Sequence, residues 1–290
     1  MKGKEKILPG GYLSPKKGRW KAVLLALLLA FTALFGYVYL GIAMQHTREI
    51  HWSPDYAQED ISSLLYKAER TDEDYKKIYE QTGLTKLGVE GLIEQRMYTR
   101  ILRIQKSYFA TYEKTRKHFA PLTYAEYIDG TTEFAIFQDG DILVTDSIFC
   151  SWFRYGHAAL VVDAEQGQTL GAVEIGQKSA WNRVSQFKGY AKFLILRPKV
   201  SDEVKAQVVA YAKENLVGLP YQLTTGIFTA KDADSLLGTH CGHLVWYAYH
   251  RFGVDLDSDG GRIVTPQDLA NSPNVELVQN FGFDPETLWR

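Results

Sequence analysis

Two cysteines and seven histidines are the side chains best able to do covalent chemistry in this 290-residue chain. Cys241 stands in the run Thr239-His-Cys-Gly-His-Leu-Val-Trp-Tyr-Ala-Tyr, which predicts a helix that starts near the cysteine and ends at Gly253. At a helix N-terminus the unpaired backbone N–H groups and the macrodipole favour thiolate over thiol. The same amides can donate to an oxyanion formed when sulfur attacks a carbonyl. On this reading Cys241 reacts with alkylating agents well below pH 8, and faster than Cys150.

A cysteine nucleophile needs a base within hydrogen-bond reach, and the base needs an orienting partner. His46 and His51 lie close to a long apolar segment, and His118 falls in a helical region. His240, His243 and His250 are near Cys241 in sequence, which need not bring their rings to the sulfur. His157 differs: it follows Gly156 and opens the apolar run His157-Ala-Ala-Leu-Val-Val. Glu174 lies on the next predicted strand, Ala172-Val-Glu-Ile, where a carboxylate could hold the imidazole.

Other arrangements point to less chemistry. Cys150 reads as a small buried hydrophobe, and a Cys150–Cys241 disulfide would consume the nucleophile. His240-Cys-Gly-His243 lacks the paired ligand spacing of structural zinc sites, so no metal is expected there. Asp255-Leu-Asp-Ser-Asp-Gly-Gly261 imitates the first half of a calcium loop, but the position of the bidentate glutamate is Pro266. A polar turn is the better reading, with weak calcium binding as the lesser alternative, and no cofactor is expected.

The elements that must position these residues change character along the chain. From Asp55 to about Phe119 the pattern is helical and charged. Thr71 with Asp74 resembles a capping box, Gly83 would close that helix, and Ile101, Leu102, Ile104, Tyr108, Phe109 and Tyr112 recur at helical spacing. Pro121 would stop this second helix. Beyond it, Asp141–Thr145, His157–Val162, Ala172–Ile175 and Lys192–Arg197 read as short strands separated by Gly and Asp turns. Ser201 then opens a helix running to Asn215. Strands first and helices after is an α+β pattern.

Composition is ordinary for a globular chain, with 46% hydrophobic and 23% charged residues. The net charge of −1 hides an asymmetry: residues 1–21 are strongly basic and the remainder is acidic. An acidic body argues against a nucleic-acid partner, whose phosphates would call for Lys and Arg. Residues 22–44 carry no charge and are long enough to cross a bilayer. The basic flank before them (Lys16, Lys17, Arg19, Lys21) predicts a cytoplasmic N-terminus and an extracytoplasmic body. The expected organisation is therefore a basic tail (1–21), a transmembrane helix (22–44), a helical module (45–120) and a catalytic domain (121–290).

The ordered motifs Gly140-Asp-Ile-Leu, Gly156-His-Ala-Ala-Leu-Val, Val173-Glu174, Pro220-Tyr221 and His240-Cys-Gly-His-Leu-Val-Trp-Tyr-Ala-Tyr resemble the NlpC-type papain-like cysteine hydrolase superfamily. More narrowly they are similar to its circularly permuted branch, the YiiX-like and YycO-like proteins, in which His precedes Cys. The likeness covers roughly residues 139–282 and includes Ile263-Val-Thr-Pro-Gln-Asp-Leu. It implies a permuted papain-like α+β domain with an antiparallel sheet packed on helices. It further implies Cys241 as nucleophile, His157 as general base and acid, Glu174 as orienter and Tyr221 beside the nucleophile. The substrates it implies are amide bonds of peptidoglycan stem peptides or related envelope components. Two alternatives remain open: lipid-directed acyl hydrolysis or transfer, since the branch is also similar to lecithin:retinol acyltransferase relatives, and a non-catalytic envelope-binding module. One departure is visible: many relatives have Cys-Ser-Glu where this chain has Cys241-Gly-His243.

Overall fold

The computed structural model describes residues 17–46, 51–120, 123–150 and 153–289. Most of the expected basic tail thus lies outside the described residues. The chain divides into two units, residues 1–48 and 49–290. The first contains helix α1 (Lys17–His46), within which Trp20–Leu40 is long and apolar enough to span a membrane, with a mean hydropathy of 2.3. Its described side chains are exposed almost throughout, as a lipid-facing helix requires.

The second unit begins with helices α2 (Ser62–Leu65), α3 (Asp72–Thr82), α4 (Lys86–Glu94) and α5 (Tyr98–Tyr108). Strands β1 (Lys114–Ala120), β2 (Thr123–Ile128), β3 (Ile142–Thr145), β4 (Ile148–Cys150), β5 (Phe153–Arg154), β6 (His157–Asp163), β7 (Gln168–Gly171) and β8 (Ala180–Arg183) follow. A 3-10 turn (Val184–Gly189), β9 (Phe193–Pro198), α6 (Asp202–Asn215), α7 (Cys241–His250), α8 (Pro266–Asn271) and β10 (Val275–Phe281) complete it. The main sheet has six antiparallel strands in the order β10-β9-β3-β6-β7-β8, and a smaller antiparallel sheet runs β1-β2-β4-β5. The class is α+β with antiparallel sheets.

Strand alternation gives the main sheet two buried faces. Leu143, Ala159, Val161 and Ile195 share one core with α2–α5 and the smaller sheet. Val144, Ala158, Leu160 and Leu196 share the other with α6, α7 and α8. Helices α2–α5 therefore do not form a module separate from residues 121–290; no break in the core falls at 120/121. Gly83 shows the coupling. Its φ of 71° closes α3, and a Cβ there would stand 2.1 Å from the Asn280 carbonyl of β10.

Local signals act as expected at several termini. Thr71 and Asp74 form the capping box of α3 and Ser201 caps α6; α8, not anticipated from the sequence, is capped by Thr265 with Asp268 behind Pro266. Two expected elements are corrected. The helical reading to Phe119 fails after Tyr108, because Lys114–Ala120 pairs with β2, where Arg116 opposes buried Glu126 with Nε 2.9 Å from Oε1. The strand expected at Ala172–Ile175 stops at Gly171. Residues 174–177 instead make a turn closed by the Gln177 N–H on the Glu174 carbonyl (3.1 Å), with Gly176 at φ 88°.

An ion pair with a buried carboxylate links the start of β3 to β9. Arg197 on β9 holds Asp141 through Nε–Oδ1 and Nη2–Oδ2 contacts of 2.8 Å each, and the aspartate side chain is fully buried. Burial still raises the Asp141 carboxyl above its ordinary value, against the opposing effect of Arg197. Arg197→Met would strand that carboxylate and should cost about 3–5 kcal/mol. Chemical unfolding of the full chain checks this; a loss below about 1 kcal/mol would show that Asp141 finds another partner.

Candidate active site

Cys241 is the first residue of α7, with His240 as its N-cap. The His240 imidazole accepts from the His243 N–H through Nδ1 at 3.4 Å. Behind it, Thr239 is clasped by the preceding strap: its N–H donates to the Pro220 carbonyl (2.9 Å) and its carbonyl accepts from Gln222 N–H (2.8 Å). Gly242 then lies so close to the Val264 carbonyl that a Cβ would sit 2.2 Å from it. A serine, or any side chain, at position 242 would meet that carbonyl, so packing requires glycine here.

The sulfur faces the start of β6. The backbone amides of Ala158, Gly242 and Cys241 itself lie near enough to favour thiolate, yet burial outweighs them and the thiol is raised above its ordinary value. Only 4% of the residue is exposed. Cys150, by contrast, is a free and exposed cysteine at the end of β4, not the buried hydrophobe expected. The expectation of a lowered Cys241 thiol is thus overturned, because desolvation exceeds the effect of the helix terminus.

His157 is the first residue of β6 and buried. Its ring stacks on Phe187, centroids 5.8 Å apart, over Gly171, where a Cβ would lie 3.6 Å from both Cε1 and Nε2. Burial lowers its imidazole to about 4, so the ring is neutral at pH 7. Among the described residues the ring makes no hydrogen bond, neither to Cys241 nor to Glu174. Its neighbour Ala158, not the ring, shares the core that holds Cys241. Glu174 lies in the turn after β7, half-buried, and accepts from Gln177 Nε2 at 2.9 Å.

Three tyrosine hydroxyls lie within electrostatic reach of the sulfur. Tyr155, Tyr190 and Tyr221 are each raised first by burial and then by neighbours that include Cys241. Tyr221 is on the strap that pairs with Thr239. Tyr155 and Tyr190 were not anticipated from the sequence. The adjacency Tyr155-Gly156-His157 was the only signal for the first, and Tyr190 had none.

His243 has both ring nitrogens engaged. Nε2 donates to the Lys231 carbonyl at 2.8 Å, which leaves Nδ1 to accept from the Thr239 hydroxyl at 2.8 Å. It therefore braces the helix start and offers no lone pair to a metal. Asp257, Asp259 and Asp268 bring carboxylate oxygens within 4.8 Å of one another. Asp257 is already ion-paired with Lys231 and accepts from two backbone N–H groups, while Asp268 serves the α8 cap.

Comparison with protein-family models, with curated proteins and with solved structures returns no match for this chain. The chemistry must be argued from the side chains.

Exposure and thiol acidity set an order of reactivity. Iodoacetamide should modify Cys150 first at pH 7.5, with Cys241 following only as the pH is raised. Peptide mass mapping over a pH series reads this directly; Cys241 labelled first at pH 7.5 would overturn the buried, protonated thiol.

Proposed function

We propose that this protein is a membrane-anchored cysteine hydrolase that cleaves amide bonds, with Cys241 as nucleophile and His157 as general base and acid. The observation that carries the reading is a thiol at the first turn of α7, held against the strand that His157 begins. The His157 ring now stacks on Phe187, in the core opposite to that of Cys241, so it must turn from Phe187 to act; there, neutral, it would take the thiol proton as sulfur attacks the carbonyl carbon. The Ala158, Gly242 and Cys241 amides that now face the sulfur are then donors at the place where negative charge develops. His157 returns the proton to the departing amine, leaving a thioester. Water, deprotonated by the same imidazole, adds to the thioester; the thiol leaves and the acid product is released.

Glu174 is the proposed orienter of the imidazole. Its carboxylate now binds Gln177, so it must exchange that partner to act. Tyr221, on the strap beside the helix start, is the proposed substrate-positioning group. The α+β class with an antiparallel sheet and helices accords with a permuted papain-like domain, as does the order His157, Glu174, Cys241. With the basic flank on the cytoplasmic side, the body lies outside the membrane, where peptidoglycan stem peptides and related envelope amides are the accessible substrates.

One observation favours a second reading, lipid-directed acyl hydrolysis or transfer. The strap that follows Tyr221 exposes Leu223, Ile227, Phe228 and Leu237, Phe228 to 82%. An acyl chain could lie on such a surface.

The neutral imidazole fixes the expected pH dependence. A base lowered to about 4 is already deprotonated above that pH. Activity on purified muropeptides should therefore rise through about pH 4 and show no further imidazole limb near 6.5. His157→Ala should reduce turnover by about 10²–10⁴-fold, Cys241→Ala should abolish it, and Glu174→Gln should cost less than either. Chromatographic release of cleaved fragments measures all three. Full turnover by Cys241→Ala would refute the nucleophile, and an acid limb at 6–7 would refute the buried neutral base.

A further inference from the structure

The most exposed apolar side chains of the body gather at one end of its main sheet. Outside α1 and among the described residues, five are at least 64% exposed: Tyr66, Phe153, Ile175, Phe228 and Leu237. Tyr66 has a partner, its ring stacked on Tyr98 with centroids 4.7 Å apart. The other four fall in connections at the end where β6 begins. Phe153 lies between the end of β3 and the start of β6, which pair at Thr145 and His157. Ile175 lies between the end of β7 and the start of β8, which pair at Gly171 and Ala180. Phe228 and Leu237 belong to the strap that leaves Tyr221 and returns to Thr239, just ahead of α7. A single exposed apolar residue is ordinary, but several on one surface mark the face that meets a partner or a membrane.

A second, independent observation says what covers that face: the chain enters the body at the same end of the sheet. His51, buried, donates from Nδ1 to the Ala191 carbonyl (2.7 Å) just ahead of β9. The Trp52 N–H donates to the Gly282 carbonyl (2.8 Å) just after β10. The register runs from Phe281 of β10 to Phe193 of β9, and on through β3 to His157, so the four strands share this end. In the strand order β10-β9-β3-β6 the entry point and the start of β6 stand three strand spacings apart, about 14 Å. Only residues 47–50 separate His46, the last residue of α1, from His51. That length of chain reaches about 17 Å at most.

We propose that this end of the body docks on the bilayer that α1 spans, with Phe153, Ile175, Phe228 and Leu237 inserted among the lipid headgroups. The proposal rests on the reading of α1 as a membrane anchor and stands whether or not Cys241 is a nucleophile. The short tether keeps the entry point close to the membrane surface, and the hydrophobic effect then favours the orientation that takes the four side chains out of water. From free solution so few side chains would bind weakly. A tether makes docking intramolecular, at a high effective concentration, so a small apolar surface suffices. The start of α7, with Cys241, then lies at the membrane surface.

Full-length protein reconstituted into phosphatidylcholine vesicles tests the proposal. In a Cys150→Ser background, Phe228→Cys carries a nitrobenzoxadiazole label. Glu165→Cys, exposed in the connection between β6 and β7 at the opposite end of the sheet, carries the same label as a control. Phosphatidylcholine spin-labelled near the headgroup should quench the label at position 228 about threefold or more as strongly as the label at 165. Adding Ile175→Asp and Leu237→Asp, both at exposed positions that folding tolerates, should remove most of that difference. Flotation with the vesicles after an alkaline carbonate wash reads the anchor separately. Protein washed off would overturn the anchor and the docking together. Protein that stays in the membrane with position 228 quenched no more than 165 would overturn the docking alone, as would quenching unchanged by the two aspartates.

Discussion

The approach of the first turn of α7 to the beginning of β6 is the constraint on which the site depends. It places Ala158 and Cys241 in the same core, with the Ala158 amide near the sulfur. Several otherwise unrelated features serve that approach. Position 242 carries no side chain because the Val264 carbonyl occupies the space. His243 ties the helix start to Lys231 and Thr239, and the Pro220–Gln222 strap clasps Thr239 from the other side. Tyr155 and Tyr190 pack with the core on one face of the sheet and Tyr221 with the core on the other. All three hydroxyls reach the charge of the same sulfur.

Burial makes this a neutral site at rest. The thiol is raised and the His157 imidazole is lowered, and desolvation is the largest cause of both shifts. An ion pair of thiolate and imidazolium would need each group to gain more from the other than it loses by leaving water. Without a hydrogen bond between them, neither has that compensation. The proposed chemistry therefore begins from thiol and imidazole, with proton transfer coupled to attack on the substrate.

Much of this arrangement was legible in the sequence, for identifiable reasons. The helix starting at Cys241, the strand starting at His157 and the capped α3 and α6 all rest on short-range signals: apolar spacing, a capping residue, a glycine at the end. Where the outcome depended on distant partners, the sequence was silent or misleading. Lys114–Ala120 continues a helix-like pattern, yet becomes a strand because β2 offers Glu126 to Arg116. Strand β10 carries buried Gln279 and Asn280, whose polarity hides its place in the sheet. The Gln279 side chain donates to the Glu133 carbonyl and accepts from the Ala135 N–H, far earlier in the chain. The thiol's acidity was misjudged likewise, since the helix terminus is local and the burial that overrides it is not. The likeness of motifs supplied Glu174, and the turn at Gly176 keeps its carboxylate on Gln177.

The central claim is that Cys241, though buried and protonated, is the group that attacks an acyl carbon with the help of His157. The most direct measurement uses a stem-peptide analogue bearing a vinyl sulfone in place of the scissile amide, at less than one equivalent, followed by fragmentation mass spectrometry. The account predicts an adduct on Cys241 in the folded protein, little on the exposed Cys150, and a marked slowing in His157→Ala. An adduct confined to Cys150, or labelling of Cys241 at the same rate with and without His157, would contradict it.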